Sequence, residues 1–281
     1  MAKLGWRSNA IRVIGWVTGG FLLVLFFGLV DLTVPLTMQA RPEFYAGYLI
    51  ETGWGVLFTF FAGLPFCFLG ARPDWSSAAL LTGAAGTAVL VAGIASGQPL
   101  QLLVVVGLLV PTAAVLVLSP LRTDSGGDSG LAGPLREPAH LASRVAYLAM
   151  SLVALPPTIV YATDMIGTAI EGVAPVHETY VFDHYPIQAA FALAIPLATA
   201  LLALRLPGWR PMTILVGLGT AWFAVVGIVY PDHLGSWGTT WGWIGLAWAV
   251  VLSSLTIRFG RGRRRAEAAR GEASDEQVAR S

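Results

Sequence analysis

Charge is what this sequence is short of. Asp, Glu, Lys and Arg make up 12% of its 281 residues, where a soluble globular chain carries about 25%. Cysteine is nearly missing too. Cys67 stands alone in an apolar run, which excludes an intrachain disulfide and a cysteine-based zinc site and leaves core packing as its role. The Walker phosphate loop, the G-x-S-x-G elbow and the G-x-G-x-x-G dinucleotide fingerprint are absent, so neither ATP hydrolysis nor a nucleotide cofactor is expected. No Asp, Glu, Lys, Arg or His falls at the middle of any apolar run. Intramembrane proton relays and voltage sensors use such groups, and a bis-histidine haem needs His within helices, so both classes drop away.

What fills the chain instead is apolar: 56% hydrophobic residues and a mean hydropathy of +0.70. Eight apolar runs stand out at about 11–31, 50–70, 77–96, 100–120, 143–163, 186–205, 211–231 and 237–257. Each is close to the ~20 residues that cross a ~30 Å hydrocarbon core as a helix. The fold class expected is an all-α polytopic membrane bundle of eight transmembrane helices. The basic start "MAKLGWRSNAIRVIGW" leads into an apolar run too long for a cleaved signal and lacks an A-x-A site, so it reads as an uncleaved first span. Pro65, Pro111, Pro156, Pro157 and Pro196 fall inside runs, where they predict kinks.

Basic residues orient the bundle. Of 17 Lys and Arg, all but Arg41 fall at the N-terminus, after spans 2, 4 and 6, or in the tail. The positive-inside rule then places both termini in the cytoplasm of a bacterial-type cell membrane. Tyr45, Tyr48, Tyr161, Tyr180, Tyr185 and Tyr230 land near the opposite interface, as an aromatic belt would.

Sliding the chain against itself by 134 positions superposes Pro73 on Pro207, Trp75 on Trp209, Gly83 on Gly217 and Gly93 on Gly227. With a drift of one or two residues, Asp31 meets Asp164 and Glu51 meets Asp183. This predicts two parallel four-helix repeats, residues 1–122 and 141–258. A Gly/Ser/Pro-rich cytoplasmic linker at 123–140 joins them, and a polar, basic, disordered tail follows at 259–281. Four helices per half is an even number, so the halves would insert the same way.

Two constellations could carry chemistry. Asp31, Glu51, Asp164 and Asp183 fall at the outer ends of spans 1, 2, 5 and 6. With Glu43, Glu171, Glu178 and Asp232 they face a single Arg. Such acids delimit helices cheaply, but a carboxylate pair repeated in both halves is also what a cation or cationic-solute site needs. The second is "HETYVFDHYPIQ", residues 177–188. Here H-E-x-x-H fails at Val181, and Asp183 before Pro186 has helix-start chemistry. His177, His184 and His233 with Asp232 would suit zinc or copper if they converged. A divalent cation is therefore the cofactor these groups could hold.

Trp237, Trp241 and Trp248 share a face of span 8, and Gly15/Gly19 and Gly93/Gly97 have spacing for close helix contact. Arg258, Arg261, Arg263, Arg264 and Arg265 follow span 8 directly, which predicts anionic-lipid partners rather than nucleic acid. The function expected is binding or transport of a small solute, cation or lipid from the outer side. The alternatives are a membrane-embedded enzyme acting on a lipid or isoprenoid through an outer carboxyl, and an accessory subunit with no site.

Overall fold

A computed structural model of the chain describes residues 2–37, 49–119, 138–172 and 183–280, with side chains described at 5–37, 49–119, 141–172 and 183–259. Within these residues every regular element is helical. A run of apolar residues in lipid must pair its own backbone N–H and C=O groups, and the helix does so within one segment. Among the described residues, eight helices are long and apolar enough to cross a membrane: span 1 Gly5–Thr37, span 2 Leu49–Ala71, span 3 Ser76–Ser96, span 4 Gln101–Leu118, span 5 Leu141–Ile170, span 6 His184–Leu202, span 7 Trp209–Val229 and span 8 Gly238–Phe259. The chain is a multi-pass integral membrane protein.

Turn chemistry sets several boundaries. Gly97, at φ 69°, closes span 3 by donating to the carbonyls of Gly93 and Ile94, as a left-handed C-terminal glycine does. Asp183 opens span 6, its carboxylate accepting the Tyr185 N–H at 3.0 Å. Gly93 and Gly97 therefore do not form a paired contact face; Gly97 is a terminator. Gly15 and Gly19 do form one, lying against Phe66, Gly70, Gly63 and Cys67 of span 2.

Packing divides the spans into two sets. In spans 2, 3, 6 and 7, 61–78% of the apolar window is buried in the bundle; in spans 1, 4, 5 and 8 the share is 22–33%. Span 1 packs on span 2, 2 on 3, and 3 on 4; span 5 packs on 6, 6 on 7, and 7 on 8. Across the middle, span 3 meets span 6, span 2 meets span 7, and span 2 meets span 6. The outward apolar side chains of spans 1, 4, 5 and 8, among them Val17, Val110, Val160 and Val250, are exposed and form the lipid-facing surface. Trp248 is explained by this arrangement, since it is buried and donates to the Met150 carbonyl at 3.0 Å.

The charges divide the bundle ends. One end, here the basic end, holds the turns at 72–75 and 203–208; the other, the acidic end, holds the turns at 97–100 and 230–237. At the basic end the two turns interlock. A Cβ on Gly208 would lie 2.7 Å from Trp75 Cγ, and Gly208 has φ 82°, so only glycine fits there. Ser77 Oγ donates to the Pro207 carbonyl at 2.6 Å across the same junction.

Two features depart from expectation. Span 1 is broken, and not at a proline. The first helix, Ala2–Gly20, runs into a π-helical turn, Phe21–Leu25, and stops. Phe27 takes φ 61°, and a second helix starts as Gly28–Thr37. Beside it, span 2 has its own π-helical stretch, Leu57–Gly63. The final helix runs Gly238–Arg280, through residues read from composition as a disordered tail. Ala, Arg and Glu have high helix propensity, and they continue the helix where hydrophobicity ends. The helix containing span 5 likewise begins at Pro138, inside the segment read as linker; residues 120–137 lie outside the described residues.

Candidate functional site

The break in span 1 positions the first functional group. Gly28–Thr37 restarts as an independent half-helix with Asp31 in its first turn, and its buried face is Gly28, Asp31 and Pro35. The i, i+3 and i, i+4 spacing puts these three on one line, directed at span 2. Gly28 lies on Phe58 and Thr59 of span 2. One turn further out, the backbone of Asp31 and Leu32 touches Gly55, where a Cβ would come within 2.6 Å of the Asp31 carbonyl carbon. Glu51 lies one turn beyond Gly55 on span 2, and both acidic residues are only 9% exposed. Asp31 and Glu51 are thus carried on one seam between spans 1 and 2, a helical turn apart. Pro35 has no N–H to give the Asp31 carbonyl, which leaves a second oxygen acceptor at the same level.

Span 7 holds the half-helix in place. Trp222 Nε1 donates to the Leu32 carbonyl at 3.1 Å and Tyr230 Oη to the Pro35 carbonyl at 2.8 Å. From span 2, Trp54 Nε1 donates to the Phe26 carbonyl at 3.0 Å, at the break itself.

Trp54 also connects this seam to the middle of the bundle. Its indole stacks on His184, the first residue of span 6, with ring centroids 4.6 Å apart. One turn along span 6, Gln188 is fully buried against Gly53 and donates to the Gly235 carbonyl at 3.1 Å. Tyr161 of span 5 donates to the same carbonyl at 2.6 Å. Four buried polar atoms in this region, His184 Nδ1, Gln188 Oε1, Thr52 Oγ1 and Tyr185 Oη, have no hydrogen-bond partner among the described residues. Buried polar atoms are rarely left so; these four stand near the acidic-end starts of spans 2 and 6.

The remaining acids part company. Asp183 is half-buried as the cap of span 6. Gln98 Nε2 approaches its carboxylate at 3.4 Å, and Gln101 Nε2 donates to its carbonyl at 2.7 Å. Burial pushes the Asp183 carboxyl above the usual range, opposed by the Tyr185 N–H. Asp164, Glu171 and Asp232 are exposed. Of the histidine-centred metal set, the described members His184, His233 and Asp232 are not brought together. His184 lies against Trp54 and His233 against Tyr230, at 5.2 Å between centroids. No three His, Cys, Asp or Glu gather as metal ligands would among the described residues. The reason is helix geometry: His184 is tied to the start of span 6, while His233 belongs to the turn between spans 7 and 8. His177, Glu178 and Glu43 lie outside the described residues.

Trp54, Gln188 and Tyr161 were not legible as site residues, because aromatics and a lone amide near helix ends are ordinary in membrane bundles. The G-W-G at residues 53–55, just after Glu51, was the available signal. Comparison of the chain with protein-family models, curated proteins and solved structures finds no match.

Proposed function

We propose that the protein is a binding or transport-type membrane protein that takes a small cation or cationic solute from the outer side, at Asp31 and Glu51. The observation that carries this reading is Asp31, buried in the first turn after a non-proline break in a membrane helix. Interrupted spans lining polar sites are a recurring way for membrane proteins to present backbone oxygens to ions, and π-helical turns recur at functional positions. A carboxylate held in a partly desolvated seam, as that of Asp31 is, favours a proton or a cation beside it.

The acidic end is the outer one in this reading, and both termini are cytoplasmic in a bacterial-type cell membrane, on the strength of the Lys and Arg partition. The two halves, spans 1–4 and 5–8, are parallel repeats. Support comes from the burial of spans 2, 3, 6 and 7 and from helix pairings that recur four spans later. Gln101, at the turn between spans 3 and 4, bonds the start of span 6. Its counterpart Gly235, at the turn between spans 7 and 8, sits on Ile50 at the start of span 2. The halves have diverged at the site: span 1 is broken and buries its acid, whereas span 5 is continuous and leaves Asp164 exposed.

The test is thermal unfolding of the purified protein in detergent with Na⁺, K⁺, Mg²⁺ or Ca²⁺ against a bulky organic cation at equal ionic strength. One of the inorganic ions should raise the melting temperature by mass action, and Asp31→Asn or Glu51→Gln should each abolish the rise. A response that survives in both variants, or no response to any of the four ions, refutes the assignment.

A further inference from the structure

The break in span 1 lies against an irregular stretch of span 2, and two oxygens meet between them. In a regular helix the Phe26 N–H would bond the Leu22 carbonyl. Here it bonds Phe21 instead, at 2.8 Å, because the turn Phe21–Leu25 is π-helical. The Leu22 carbonyl loses its regular donor and faces Gly28. A Cβ on Gly28 would lie 2.8 Å from that oxygen and 3.2 Å from Thr59 Oγ1 of span 2. Thr59 belongs to the π-helical stretch Leu57–Gly63. It is 2% exposed, and its hydroxyl has no hydrogen-bond partner among the described residues. Gly28 thus leaves unfilled one point on which a carbonyl and an orphaned hydroxyl converge. The surroundings are apolar: Leu22 and Phe58 are buried, and Phe26 lies edge-on to Phe58 at 4.8 Å.

Asp31 brings charge to this point. It follows Gly28 on the buried face of the half-helix, and residues three apart on a helix have Cβ atoms about 5–6 Å from each other. Cα–Cβ bonds tilt toward a helix N-terminus, so the Asp31 side chain starts out toward Gly28. The helix dipoles agree. The Leu22 carbonyl stands at the negative end of the first helix, and Asp31 offsets the positive end of the second. Thr59 is ten residues into span 2, Leu49–Ala71, about 15 Å inward from the acidic end. That is toward the midplane, where interrupted helices of transporters hold their ions.

We propose that the Leu22 carbonyl, Thr59 Oγ1 and the Asp31 carboxylate hold a dehydrated small monovalent cation, Na⁺ or Li⁺, at the break. The proposal rests on the cation reading of Asp31 and Glu51, and adds the class of ion and its resting place. Glu51 stands eight residues from Thr59 along span 2, about 12 Å. One carboxylate therefore serves the point, and it neutralises one positive charge. A divalent ion would keep a net charge in apolar surroundings, which is costly. Ca²⁺ also takes about six to eight oxygens and Mg²⁺ keeps several waters, more than this point admits. It is too tight even for a methyl group, with the Phe58 backbone 3.3 Å away, which favours Na⁺ or Li⁺ over K⁺.

Thermal unfolding of the full chain in detergent tests this with Li⁺, Na⁺, K⁺ and Mg²⁺ chlorides at equal ionic strength. Na⁺ or Li⁺ should raise the melting temperature more than K⁺ or Mg²⁺. Thr59→Val keeps the side-chain shape but removes the oxygen. The Na⁺ concentration giving half the rise should then increase about tenfold or more, the order expected for one contact to a charged group. Thr59→Ser, which keeps the hydroxyl, should respond as the parent does. Without Na⁺ the Thr59→Val protein should melt no lower than the parent, because the hydroxyl it lacks had no partner. A Na⁺ response lost in Asp31→Asn but unchanged in Thr59→Val overturns this site and leaves the carboxylate reading standing. A Mg²⁺ response exceeding that to Na⁺ and Li⁺ does the same. No response to any ion removes both. Gly28→Ala puts a methyl group on the point itself, and a parent-like Na⁺ response in that protein overturns the site even where Thr59→Val does not fold.

Discussion

His184 and Trp54 join the two halves of the bundle through their rings, 4.6 Å apart and inclined by 32°. Trp54 spends its one N–H on the Phe26 carbonyl at the break in span 1, so the imidazole meets the face of a ring already fixed in place. Trp54→Phe keeps an aromatic surface but removes the indole donor to the Phe26 carbonyl. It should lower stability by about 0.5–1.5 kcal/mol, the net worth of one hydrogen bond. Denaturation in mixed micelles reads this directly, with Trp243→Phe, at an exposed position, expected to be near neutral.

Gly55 allows the backbone of span 1 to touch span 2. Gly55→Ala puts a methyl group into the Asp31–Leu32 backbone, which cannot move as the tip of a side chain could. Overpacking of this kind costs about 1–3 kcal/mol, and it should also weaken any cation response by parting Asp31 from Glu51. A fully stable Gly55→Ala protein with unchanged cation dependence would show that the seam is not closely packed.

The hydrogen bonds from span 7 to the half-helix are separable from the site chemistry. Tyr230→Phe and Trp222→Phe remove donors to Pro35 and Leu32. Each should cost roughly 0.6 kcal/mol, the average found for hydrogen bonds between membrane helices, with larger loss in the double variant. Limited proteolysis near residue 37 should accelerate in the same order.

Asp183 makes a prediction about pH. Its folded carboxyl titrates above the ordinary range because of burial, so the folded state holds its proton more tightly than the unfolded chain. The stabilisation this gives is fully present below about pH 4 and is lost as pH rises through the folded value. Asp183→Asn retains a capping side chain and does not titrate. The melting temperature of wild type relative to Asp183→Asn should therefore fall as pH is raised from about 4. A difference that is constant over that window, or that grows with pH, contradicts the buried-carboxyl account.

Orientation can be tested by labelling after removal of Cys67. A cysteine at Ser125 should resist an impermeant thiol reagent in intact cells, and one at Glu171 should react. The opposite pattern inverts the assignment of the two ends.

The sequence made six of the spans legible to within a few residues, while spans 1 and 5, Gly5–Thr37 and Leu141–Ile170, run further than the apolar runs at 11–31 and 143–163. The runs at 77–96 and 50–70 correspond to Ser76–Ser96 and Leu49–Ala71, because an absence of charge over about 20 residues has a single physical solution in lipid. Asp31 and Glu51 were legible as candidates since buried acids in so apolar a chain are conspicuous. The break between Phe26 and Gly28 was not. It needs neither proline nor a polar residue, and Trp54 of span 2 supplies a donor to the interrupted backbone. Gln188 was hidden for the same reason: its place depends on which helix ends face one another, and periodicity along one helix carries no record of that.

The interlock of Trp75 with Gly208, reinforced by Ser77 on the Pro207 carbonyl at 2.6 Å, has a mechanical consequence. It pins the turn between spans 2 and 3 to the turn between spans 6 and 7 at the basic end. The break in span 1, its half-helix and the His184–Trp54 ring contact lie at the other end. A rocking of one half against the other therefore has its fulcrum at Trp75 and Gly208, and the jaws it opens are those that hold Asp31, Glu51 and His184.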